Sequence, residues 1–205
     1  MIMMKKNRKY IVGIDEVGRG PIAGPVTVCA TLVPYNQVST VHRRLVGIRD
    51  SKKISKKKRE EYSEKAKTLA TDGVLEYALA SSSAQFIDRH GINFAIRSAL
   101  SRALVKLFKN KERENAQVFL DGGLRAPRTF TNQETIIRGD EHIFIISVAS
   151  VIAKVHRDKE MVKLARRFSD YKFHKNKGYG TAEHFAAIRK FGKSEIHRKT
   201  FLSKR

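Results

Sequence analysis

Acidic residues are scarce in this 205-residue chain, and several of the 20 stand where apolar runs end. Asp15 and Glu16 follow Ile11-Val12-Gly13-Ile14, and Asp121 follows Val118-Phe119-Leu120. Asp140 follows Ile136-Ile137 across Arg138-Gly139. Ligand sites in α/β sheets gather at strand ends. Carboxylates that converge there repel one another unless a cation holds them, and their hard oxygens suit Mg2+ or Mn2+. Two such ions about 4 Å apart activate water and stabilise the leaving oxygen in phosphodiester cleavage. Each Asp taken alone reads better as a turn former or a helix cap, as Asp72-Gly73 and Asp170 do. It is the combination with the charge of the rest of the chain that shifts the balance.

That charge is +22, from 42 Lys and Arg against 20 Asp and Glu. Solubility of a small domain needs a magnitude of only roughly 2–8, so the excess points to a polyanionic partner whose counterions are released on binding. A membrane surface would call for an amphipathic basic helix with an aromatic face. None stands out, and aromatics make up 8%. The single cysteine, Cys29, lies in an apolar run and reads as a small buried hydrophobe. No internal disulfide is possible, which suits a reducing compartment. The start, Met1-Ile2-Met3-Met4-Lys5-Lys6, lacks the apolar core of a signal peptide, and no apolar stretch is long enough to span a bilayer. A soluble, cytoplasmic, monomeric protein is expected.

The elements that must position the carboxylates follow from periodicity. Strands are expected at Tyr10–Ile14, Val26–Val33, Val74–Ala80, Val118–Leu120 and Thr135–Arg138. Ser55 is placed to cap a basic helix from Lys56 to Thr71, stopped by Asp72-Gly73. Ile96, Leu100, Leu104 and Leu107 mark one face of a helix over Ile92–Phe108. A second long helix runs from Ser147 to Phe168, and a helical piece lies near Ala182–Phe191 in a basic tail. The first two strands look like a hairpin and the rest alternate with helices, so the expectation is an α/β domain with a mixed sheet.

Between the first two strands lies Gly18-Arg19-Gly20-Pro21-Ile22-Ala23-Gly24-Pro25. It is not a phosphate-binding loop, because no Gly-Lys-Ser/Thr follows, nor a dinucleotide fingerprint. Glycines there permit positive φ and close approach of backbone to a ligand. The stretch Asp15 to Val26, D-E-V-G-R-G-P-I-A-G-P-V, resembles the signature of the type 2 ribonuclease H (ribonuclease HII) family. Further stretches match in order: Asp50-Ser51-Lys52-Lys53, Phe119-Leu120-Asp121-Gly122, Gly139-Asp140, and Ser147 to Asp158, similar to the family's A-A-S-I-x-A-K-V-x-R-D helix. Phe173 to Thr181 and Ile196-His197-Arg198 resemble its C-terminal motifs.

The resemblance implies a ribonuclease H-like fold: a mixed central sheet flanked by helices, with a small helical C-terminal part. The catalytic domain is expected over 1–170 and a substrate-binding extension packed on it over 171–205. Four metal-binding carboxylates carry over to Asp15, Glu16, Asp121 and Asp140, holding Mg2+ or Mn2+ in a two-metal arrangement. Gly18, Arg19 and Gly20 are implied readers of the ribose 2′-hydroxyl, the group that separates RNA from DNA at one position. Tyr179 is implied to stack on the neighbouring sugar. Lys52, Lys53, Ser150, Lys154, His197 and Arg198 are candidates for phosphate contact, which positions a duplex without reading its sequence. Asp158 is expected to pair with a nearby basic residue. His174, His184 and His197 lack zinc spacing and cysteine companions.

The implied activity is metal-dependent endonucleolytic hydrolysis 5′ to a ribonucleotide, in RNA–DNA hybrids or in duplex DNA with embedded ribonucleotides. It leaves a 3′-hydroxyl and a 5′-phosphate. The sequence departs from the family at Ser147-Val148, where small alanines are usual, and at Gly123, which lengthens the loop after Asp121. A glutamine-and-aromatic tail of the kind that binds a sliding clamp is not seen after Arg198, so clamp recruitment by that route is not expected. The rival reading is a non-catalytic basic nucleic-acid-binding protein, which the charge alone supports equally. It gives no reason for acids to face phosphate. A nucleotide-dependent transferase is weakened by the missing phosphate-loop lysine.

Overall fold

The computed structural model describes residues 8–48, 51 and 53–203. Strand β1 (Tyr10–Val17) pairs antiparallel with β2 (Val26–Pro34), and β2 pairs antiparallel with β3 (Glu76–Ser82). On its other edge β1 runs parallel to β4 (Ala116–Asp121), which runs parallel to β5 (Gln133–Ile136). The sheet order is β3-β2-β1-β4-β5. The flanking helices are α1 (Val38–Arg44), α2 (Lys56–Thr71), α3 (Ala84–His90), α4 (Ile92–Leu107), α5 (Gly139–His142) and α6 (Phe144–Arg167). The chain then forms α7 (Phe173–Asn176), α8 (Ala182–Phe191) and α9 (Lys199–Leu202). This is the mixed sheet with flanking helices that the sequence implies.

Alternation along the central strands sorts the core into two layers. Val12, Ile14, Val118 and Leu120 face α4, whereas Ile11, Cys29 and Phe119 face α2 and α6. By the same period of two, Asp15 and Asp121 lie on the α6 side. Helix α6 comes very close to β1: a Cβ on Gly13 would stand 2.3 Å from the Ile145 carbonyl oxygen. A smaller apolar cluster of Ala23, Met161, Ala165, Tyr171 and Phe173 joins the end of α6 to the C-terminal segments.

Several boundaries differ from those read off the sequence. β1 runs three residues past Ile14, so Asp15 and Glu16 are inside the sheet, opposite Cys29 and Val28. β3 begins at Glu76 rather than Val74, because the Val74 and Leu75 amides both bond the Leu69 carbonyl and finish α2. β5 ends at Ile136 rather than Arg138, whose left-handed φ of 56° turns the chain. Helix α6 starts at Phe144, ahead of Ser147. Helix α2 matches its expected span, and the Ser55 hydroxyl accepts the Lys58 amide at 3.3 Å.

Candidate active site

The adjoining ends of β1 and β4 bring Asp15 beside Asp121, since Ile14 is in register with Leu120. The turn after β5 adds Asp140, in the first turn of α5. Gly139, whose amide donates to Asp121 Oδ1 at 2.7 Å, ties the ends of β4 and β5 together. A Cβ at Gly139 would meet the end of the Ile146 side chain at 2.6 Å, so a larger residue there must displace that side chain of α6. Asp140 is buried, and its carbonyl accepts the Ser147 hydroxyl at 2.8 Å. The serine that replaces a small alanine of the family thus anchors the turn carrying a carboxylate.

Asp15, Glu16, Asp121 and Asp140 line one cleft of about 370 Å³ together with Gly18, Arg19, Gly20, Ser51, Ser150, Lys154 and Tyr179. Burial lifts the Asp15 carboxyl well above its ordinary value of 3.8, and the charges of Glu16, Asp121 and Asp140 lift it further. A hydrogen bond from Ser150 opposes them. Glu16 is raised by burial and by Asp121, and lowered by Arg19, 3.6 Å away. Among the described residues no three His, Cys, Asp or Glu side chains stand close enough to hold an ion as they are. Glu16 leans to Arg19 and Asp121 to the Gly139 amide. Four carboxylates lining one cleft, with Asp15 and Glu16 raised by burial and by neighbouring charge, form a donor set that fits a hard divalent cation.

The glycine loop is held from below by two arginines, both fully buried. Arg157 donates to the carbonyls of Pro25 (2.9 Å), Lys177 (3.0 Å) and Ala23 (3.3 Å). Arg198 donates to those of Gly24 (3.0 Å), Arg19 (3.0 Å) and Gly18 (2.6 Å). Burial, then the neighbouring Arg157 cation, pulls Arg198 down to about 9, so it stays charged at neutral pH. Gly18 has φ of 91°, and a Cβ there would lie 2.3 Å from Arg157 Nε. Tyr179 stands half-exposed over Gly20. Its carbonyl accepts His184 Nδ1 at 2.7 Å, and His184 Nε2 meets His197 Nε2 at 3.0 Å. The Ser194 amide donates to His197 Nδ1 at 2.9 Å. This chain of bonds suits two neutral imidazoles, and burial drives His197 down to about 4.

The structure brings the four carboxylates, the Gly18-Arg19-Gly20 loop, Ser150, Lys154 and Tyr179 into one place. It does not bring all the phosphate candidates there. His197 and Arg198, expected to contact phosphate, are buried (1% and 0% exposed) and bonded to protein groups behind the loop rather than lining the cleft. Lys53 lies outside the cleft lining and pairs with Glu141 at 2.6 Å, holding that carboxylate below its ordinary value. Lys52 and Asp50 fall outside the described residues. Lys154 pairs with Asp158 at 2.8 Å, the basic partner expected for that acid. Ser150 Oγ and Ser51 Oγ are hydrogen-bonded at 2.9 Å, and Ser51 lines the cleft too. Ser51, Arg157 and Gly139 stand inside motifs, yet their residue types alone assign them no role. Asn93, which accepts a bond from Arg19 at 2.9 Å, carried no signal at all.

Residues 12–204 match the ribonuclease HII family. The chain belongs to that family. It is 40% identical over 198 residues to a ribonuclease HII of Prochlorococcus marinus (strain MIT 9515), covering 97% of this chain and 90% of that one. Its fold is similar to the RNase HII solved in a PCNA complex from Archaeoglobus fulgidus, with TM-score 0.71, 21% identity, and 92% and 93% of the two chains covered. It is similar also to Bst-RNase HIII solved with Mn2+, with TM-score 0.70, 18% identity, and 97% and 71% covered. As a ribonuclease HII family member the protein is a hydrolytic endonuclease, and the reading as a non-catalytic binder gives way.

Proposed function

We propose that this protein hydrolyses the phosphodiester 5′ to a ribonucleotide, in RNA–DNA hybrids or in duplex DNA with embedded ribonucleotides, as a cytoplasmic monomer. The products are a 3′-hydroxyl and a 5′-phosphate. One observation carries the reading: the four carboxylates and the Gly18-Arg19-Gly20 loop line the same cleft. Asp15, Glu16, Asp121 and Asp140 would hold Mg2+ or Mn2+, a choice supported by the oxygen-only donor set and by the Mn2+ bound to the HIII relative. Such ions supply activation of the attacking water and neutralisation of charge on the leaving oxygen.

The chain's own residues do the rest. The glycine loop admits the ribose and offers backbone groups to its 2′-hydroxyl. Tyr179 closes over the neighbouring sugar, and Lys154 places a cation at the rim for the phosphate. Segment 171–205 acts as the substrate-binding extension, since it carries Tyr179 and the bonds that fix it. No covalent enzyme intermediate is needed. The Archaeoglobus fulgidus relative was solved in complex with PCNA, and co-elution with a sliding clamp tests whether this protein is recruited in that way.

The test is incubation with a duplex holding a single ribonucleotide, with Mg2+ or Mn2+, beside Asp15→Asn. Wild type should nick 5′ to the ribonucleotide and the variant should be slower by about a hundredfold or more. An intact substrate under both metals refutes the reading, and equal cutting by the variant refutes the site.

A further inference from the structure

Arg157 and Arg198 make six hydrogen bonds, all to main-chain carbonyls and none to a carboxylate. Their opposing charges, Asp88 for Arg198 and Asp158 and Glu160 for Arg157, act without a hydrogen bond; burying a cation so loosely paired is costly, and a neutral donor would hold a loop with less penalty. The direction of the Arg198 bonds suggests what the charge is for. A trans peptide holds its N–H opposite to its carbonyl. The Gly18 and Arg19 carbonyls both turn in toward Arg198, so the amides joined to them, those of Arg19 and Gly20, turn the other way. Both residues line the cleft. Among the described residues neither amide has an acceptor. Gly20 presents no side chain, and Tyr179 stands over it.

We propose that Arg198 is a specificity-determining positioning residue that aims and polarises the Arg19 and Gly20 amides, the donors that take the ribose 2′-oxygen. This rests on the loop's reading as the 2′-hydroxyl site and says what gives it its strength. A charged donor on a peptide carbonyl draws density through the amide and makes its N–H a stronger donor, as in other hydrogen-bond chains. Arg157 grips the far half of the loop and the Lys177 carbonyl, so it sets the loop's base and Tyr179 rather than these two donors.

Binding without metal isolates the effect from catalysis. Affinities are measured by fluorescence anisotropy in EDTA for two duplexes, one all-DNA and one with a single ribonucleotide, for wild type, R198M and R198K. Wild type should prefer the ribonucleotide duplex. R198M should lose about tenfold of that preference, with its all-DNA affinity kept within about twofold. R198K, with one charged donor, should lose less. Thermal melting reports folding, and if R198M is unfolded, R198K alone is read against wild type. An unchanged preference in the folded variants overturns the proposal. So does an equal loss for both duplexes, which is the mark of a merely structural residue. If wild type itself shows no preference while cleaving ribonucleotide sites, the loop's reading fails rather than the role of Arg198.

Discussion

Asp15 carries opposing demands. It is 6% exposed, bonded to the Glu16 amide at 2.7 Å, and surrounded by three other carboxylates. Burial first, and then Glu16, raises its proton affinity in the folded chain above the ordinary 3.8. The metal-free folded state therefore binds more protons than the unfolded state above that value, and its stability falls as pH rises through the window between the two. The cost is absent below pH 3.8 and complete above the raised value. Asp15→Asn removes it. The variant should melt higher than wild type at neutral pH without metal, by roughly 2–4 °C for each kcal/mol relieved. The gap should close as pH falls toward 3.8. Added Mg2+ should stabilise wild type and do little for the variant. A metal-free variant that melts lower than wild type at neutral pH would show that Asp15 is not strained by its neighbours.

Elements matter because the cleft is assembled from β1, β4, the turn after β5, and α6. The closest joint is Gly13 against Ile145 and Ile146, where a Cβ would come within 2.3–2.7 Å of main-chain atoms. Gly13→Ala must push α6 away from β1. Overpacking of this kind costs about 1–3 kcal/mol or more. Because α6 also carries Ser150 and Lys154, kcat should fall in the variant even below its melting temperature. Chemical denaturation and kinetics on one preparation check both, and a variant with wild-type stability would exclude the tight joint. At this scale the sequence was legible where one period ran uninterrupted, as in α2 and α4, and where motif residues stand at strand ends. It was not legible where tertiary bonds override propensity: Val74 and Leu75 look like strand but cap α2. Asp140 was placed at a strand end and proves to start a short helix. His197 and Arg198 were readable as motif residues, but only the burial of loop 18–25 over them shows that they face inward.

The whole molecule carries +22, far more charge than the cleft can use. Part of it gathers in one place. A groove of about 320 Å³ beside α2 and α6 is lined by Lys56, Arg59, Lys159, Lys163, Arg166 and Lys177, against the two acids Glu60 and Asp158. Charge on a surface of this kind sets affinity through counterion release and leaves chemistry to the carboxylates. The two should separate on a salt titration. For about six phosphate contacts, affinity for a duplex falls about a thousandfold between 50 and 200 mM salt. Cleavage should show a KM that climbs steeply with salt and a kcat that stays nearly level once substrate saturates, since the buried carboxylates are screened far less than exposed charges. All-DNA and ribonucleotide duplexes should share the same slope, because their phosphates are alike. A slope near zero would mean that the cationic surface does not meet the substrate. A kcat falling as steeply as affinity would instead place exposed cations in the chemical step.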